Sequence, residues 1–105
     1  MIVVTTEEVP GRRVESAIAL VRGNTVRAAH AGLDIGAFLK NLVGGEIEEY
    51  TKLLAEAREQ AFDRMVEEAR ARGADAVIGL RFATCEIASG AAEFLAYGTA
   101  VKLAP

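Results

Sequence analysis

Apolar residues recur along this chain with two periods, and the switches between them mark its elements. Ile2 to Thr5 is a short β-branched run, and the turn residues Pro10-Gly11 close what precedes them. From Val14 to Arg22 the pattern alternates weakly, with Val14, Ser16, Ile18 and Leu20 on one side and Glu15, Ala17, Ala19 and Val21 on the other. Both runs predict strands, the second ending near Gly23-Asn24. At Asp34 the period lengthens. Ile35, Phe38, Leu39, Leu42 and Val43 form one stripe of a short helix with Asp34 as its N-cap, and Gly44-Gly45 ends it.

A second, longer helix is expected from Glu46 to Arg72. Its stripe is Ile47, Tyr50, Leu54, Ala57, Ala61, Met65 and Ala69, stepping by three or four residues throughout. Glu46, Glu48 and Glu49 occupy the first turn and Arg70 and Arg72 the last, which complements the helix dipole. Gly73 is the C-terminal stop. Two strands then follow, Ala76 to Ala88 and Ala91 to Leu103, joined by a turn at Ser89-Gly90. A two-residue turn sets Ile78 opposite Val101, Leu80 opposite Thr99, Phe82 opposite Tyr97 and Thr84 opposite Leu95, one continuous apolar face. The other face pairs Val77, Gly79, Arg81, Ala83 and Cys85 with Lys102, Ala100, Gly98, Ala96 and Phe94, so glycine and alanine line its centre. The expected fold class is α+β: a small β-β-α-β-β subunit with one long helix on an antiparallel sheet. With no repeat, linker or low-complexity stretch, residues 1–105 are expected to form a single domain.

Composition changes this picture in one respect. Of 105 residues, 20 are Ala and 10 are Gly, so the apolar excess is carried by very small side chains. Fifteen acids against twelve bases give a net charge of −3, which argues against a generic nucleic-acid binder and a polybasic membrane anchor. All of that net charge lies on the long helix, which holds eight acids and five bases. A solvated amphipathic surface accounts for it without an acidic recognition role. The uncharged runs are far shorter than the roughly 20 residues a membrane span needs. Met1-Ile2-Val3-Val4-Thr5 lacks the features of a signal peptide, and a single Cys cannot form an internal disulfide, so the expected location is the cytoplasm.

The long helix also predicts assembly. From Glu46 to Arg72 it spans about 40 Å at 1.5 Å per residue, whereas a compact domain of this size is roughly 33 Å across. So few strands leave sheet edges open, and a neighbouring copy is the simplest cover. The expected partner is the chain itself. Gly79 and Gly98, in the small-residue face, Gly44, Gly45, Asp34 and Tyr50, around the helix starts, and Arg58, flanking the stripe of the long helix beside Ala57, are the candidate structural and interface residues.

Candidate chemistry is sparse. His30 is the only histidine, set in Arg27-Ala28-Ala29-His30-Ala31-Gly32 with no nearby Ser or Cys to activate, and reads as a surface loop residue. Cys85, opposite Phe94 in this register, reads as a small hydrophobe, and its neighbour Glu86 disfavours a reactive thiolate. Paired Cys or His at short spacing is absent, so a metal site would need Cys85, Glu86 or His30 multiplied by subunit symmetry. Gly44-Gly45 before a helix suggests an anion cradle, but three glutamates in the first turn oppose it and the glycines serve better as a sharp inter-helix corner. Tyr50 reads as an anchor with its hydroxyl at the edge of the core, Asp34 as a cap and Arg58 as a cross-interface ion-pair partner. An enzyme would need Asp34, Tyr50 and Arg58 in one inter-subunit pocket, the weakest of the readings. No catalytic residue and no cofactor is expected beyond a divalent or heavy metal.

Several runs together resemble the YbjQ-like family of small bacterial and archaeal proteins. They are Asp34-Ile35-Gly36-Ala37-Phe38-Leu39-Lys40-Asn41-Leu42-Val43-Gly44-Gly45, Tyr50, Ala57-Arg58 with Ala61, Gly73-Ala74-Asp75-Ala76-Val77-Ile78-Gly79, and Tyr97-Gly98-Thr99-Ala100-Val101. The resemblance implies a dodecin-like β-α-β-β core assembled as a ring-shaped homopentamer, with extra short strands joining subunits. It also implies a heavy-metal-binding label without an assigned biochemical role. The expected function is thus a non-enzymatic homo-oligomer that binds or scaffolds a small ligand, with metal binding as the alternative.

Overall fold

The computed structural model describes residues 1–28, 48–88 and 91–105. The expected short helix from Asp34 to Val43, its Gly44-Gly45 stop and the turn at Ser89-Gly90 lie outside those residues. The described elements are β1 (Ile2–Val3), β2 (Val14–Ala28), α1 (Glu48–Ala71), β3 (Ala76–Ala88) and β4 (Ala91–Leu103). They build the α+β fold: one helix packed on a four-stranded sheet of order β1-β3-β4-β2. β4 is antiparallel to both neighbours, so β2 and β3 run parallel on either side of it and α1 connects them, a split β-α-β arrangement. β1 adds to β3 in parallel, which makes the sheet mixed rather than purely antiparallel.

Two strand limits differ from the sequence expectation. β1 ends at Val3, because the chain then bends away although Val4 still exchanges hydrogen bonds with Val77 and Leu80. β2 runs past Gly23-Asn24 to Ala28. Gly23 does not end the strand; it lets α1 cross it at close range. A Cβ at Gly23 would collide with the carbonyl oxygen of Ala61, the amide nitrogen of Met65 and, at 2.7 Å, the Cβ of Arg64.

The hairpin register also differs. Ala88 lies opposite Ala91, but irregularities between Glu86 and Ala88 and between Ile78 and Arg81 displace the pairing. Arg81, Phe82, Ala83, Thr84 and Cys85 therefore face Tyr97, Ala96, Leu95, Phe94 and Glu93. The second irregularity is built around Gly79, whose φ of 64° suits the left-handed residue of a bulge. In β2, a bulge between Ala17 and Ala19 separates two residues that simple alternation places together. Ile18 packs against the main core, whereas Leu20 is exposed.

The core explains the excess of small residues. Ala57, Ala61, Met65 and Ala69 of α1 pack on Val21, Phe94, Ala96 and Ala100 of the sheet, so the glycine and alanine face is the one covered by the helix. Along β4, Ala92, Phe94, Ala96, Gly98 and Ala100 are buried while the intervening residues are half-buried. A second cluster, Val9, Ala76, Val101 and Leu103 with Val4, Val14 and Ile78, lies beneath the segment that follows β1. The helix ends as Gly73 predicts: with φ at 76°, Gly73 donates to Arg70 and Ala74 donates to Ala69, the paired bonds of a Schellman cap.

Candidate functional site

The outer side of the sheet, opposite α1, is only partly covered. The segment from Val4 to Val14 shields the end nearest Val101 and Leu103. Towards the far end of the hairpin, β3 is exposed from Arg81 to Ile87. Leu20, Val26 and Ile87 are 59%, 56% and 55% exposed, while Phe82, 45% exposed, is opposite Ala96 and so lies on the helix side, beyond the cover of α1. The exposure of Phe82 on the helix side follows from the extent and position of α1. The strands of thirteen to fifteen residues reach about 43–50 Å at some 3.3 Å per residue, while the helix of 24 residues reaches about 36 Å and lies over β2 and β4.

Cys85 lies within this open region. It is exposed, not packed as a small hydrophobe, because the shifted register sets it opposite Glu93 instead of Phe94. Its Sγ is 3.9 Å from Glu93 Oε1, and Asn24 Nδ2 donates to Glu93 Oε2 at 3.3 Å. A thiol, a carboxylate and an amide from three strands thus meet. Glu86, the neighbour weighed beside Cys85, is opposite Ala92 and so belongs to the other side of the pleat. His30 lies outside the described residues. The relevant carboxylate is Glu93, which sequence reasoning missed. The shift that pairs Cys85 with Glu93 arises at the irregularity between Glu86 and Ala88, beside the turn, whereas Gly79 signals only the second irregularity, beyond Arg81.

Cys85 and Glu93 supply two donors, and among the described residues no group of three or more His, Cys, Asp or Glu is gathered. A tetrahedral metal needs four ligands, so one described chain falls short of a closed site.

The other candidates are dispersed. Gly98 is buried where a Cβ would come within 2.7 Å of Val77 Cγ1 and 3.0 Å of the Ile78 carbonyl, so it permits close strand packing. Arg58 is exposed on α1. Tyr50 lies in the first turn of α1, with its side chain outside what is described, as are Asp34, Gly44 and Gly45. Arg81 donates to the Thr5 carbonyl at 2.8 Å and the Leu80 carbonyl at 2.7 Å, which ties the chain after β1 to β3.

Among the described residues, open hollows lie elsewhere. One of about 470 Å³ is bordered by Glu7, Glu8, Arg12 and Arg13, and one of about 460 Å³ by Val3, Phe62, Asp63 and Glu67. Neither contains Cys85 or Glu93. No described helix is long and apolar enough to cross a membrane.

Asp75 shows how the covered end is held. Its carboxylate accepts the Leu103 amide at 2.9 Å and Lys102 Nζ at 3.3 Å, and Lys102 also reaches the Gly73 carbonyl at 3.2 Å. The bond from the Leu103 backbone lowers the Asp75 pKa below its ordinary value; burial opposes it, and Lys102 and then Arg12 add to the lowering.

Comparison with known proteins places this arrangement among close relatives. A family model, YbjQ_1, described as "Putative heavy-metal-binding", matches residues 1–104. A UPF0145 protein of Methanoculleus marisnigri is 60% identical over 105 residues, covering all of this chain and 98% of the relative. One of Archaeoglobus fulgidus is 58% identical, covering 98% of this chain and 95% of the relative. One of Thermus thermophilus is 55% identical, with 100% and 92% covered. Among solved structures, a protein of unknown function from Pediococcus pentosaceus, assigned to the DUF74 family, aligns with a TM-score of 0.66 at 15% identity over 99% of this chain and 98% of that one. At that identity the likeness concerns the fold.

Proposed function

The chain belongs to the YbjQ-like family, and from that membership we propose that it is a non-enzymatic subunit of a homo-oligomer, a pentamer by its family resemblance, that binds or scaffolds a small ligand. The observation that carries the reading is the uncovered apolar outer side of the sheet, where Leu20, Val26 and Ile87 are more than half exposed. Large apolar side chains on open strands are a liability that an adjoining subunit removes. The elongated shape supports it: the radius of gyration is 16.5 Å and the extents are 51 × 26 × 16 Å, against about 13 Å for a compact chain of this length. The small-residue face filled by α1 is not the ligand surface, which leaves the outer side and the spaces between subunits. Static light scattering at micromolar concentration tests the assembly. The expected mass is five times the 11.1 kDa subunit; a species of one subunit overturns it.

A second reading, metal binding, is favoured by the Cys85–Glu93 pair and by the description of the matching family. A thiolate beside a carboxylate suits a thiophilic divalent ion. Two donors per chain make half of a tetrahedral set, so a neighbouring copy, with or without His30, would supply the other two. Equilibrium dialysis against zinc or copper, followed by elemental analysis, should find metal retained by the native protein and a loss of at least tenfold in affinity in Cys85→Ala. Equal retention by both proteins, or none by either, rules Cys85 out as a ligand.

A further inference from the structure

We draw no further inference here: the strongest candidate, the exposed apolar residues Leu20, Val26 and Ile87 on the outer side of the sheet, carries nothing beyond the oligomer already proposed, because nothing among the described residues shows what covers them.

Discussion

Asp75 holds the last strand by a few polar contacts, and its protonation state decides whether they persist. As a carboxylate it accepts from the Leu103 amide and from Lys102, and both contacts favour the charged form, so its pKa is lowered in the folded chain. A lowered carboxyl pKa contributes stability that is present above the unfolded pKa and is lost as pH falls through the folded value. Thermal unfolding measured from pH 7 down to pH 2 should therefore show part of the native protein's acid destabilisation arising at Asp75. In Asp75→Asn the neutral-pH stability should be lower and the dependence on pH below the ordinary carboxylate range shallower. Parallel curves for the two proteins would contradict this assignment. Cys85 makes the contrasting point at this scale. Its carboxylate neighbour is the residue across the strand, Glu93, and not Glu86 beside it in sequence.

At the scale of elements, the contact of α1 with β2 depends on missing side chains. Gly23 lies directly under Ala61 and Met65, and a methyl group there must displace helix backbone rather than a flexible side-chain end. Overpacking a tight core costs about 1–3 kcal/mol and occasionally more, so Gly23→Ala should lower stability by at least that range in urea unfolding. An unchanged midpoint would mean that the helix can ride higher over the strand. Helix side chains also reach the β2 backbone, since Arg64 donates to the Asn24 carbonyl at 2.6 Å and Glu68 accepts from the Arg22 amide at 3.2 Å. The long helix was legible because three reinforcing signals agree: an apolar stripe at helical spacing, acids first and bases last, and Gly73 as the stop. The hairpin strands were legible as strands, but their pairing was not. One glycine at positive φ and one irregularity near the turn each move the register, and alternation within a strand holds no record of an extra residue opposite a single partner.

For the whole molecule, the outer sheet side is where assembly can be tested separately from folding. Leu20 and Val26 make few demands on the chain's own core, so replacing both with glutamate should leave monomer stability within about 1 kcal/mol. If this side meets another copy, Leu20→Glu with Val26→Glu should reduce the scattering mass towards one subunit while the far-ultraviolet circular dichroism stays native. Retention of the full mass would place the interface elsewhere.

The sequence was sufficient for the order of the described elements, the α+β class, the long amphipathic helix with its glycine cap and the family resemblance. Each of these rests on local periodicity or on residues close in the chain. It also held the excess of alanine and glycine, but not its purpose. Which side of the hairpin α1 would cover, that Gly23 marks a crossing and not a strand end, and that Cys85 meets Glu93 all depend on pairings between residues far apart in the chain. Those pairings follow from bulges and from the thickness of side chains at one helix–sheet contact, and they exist only once the layers are packed together.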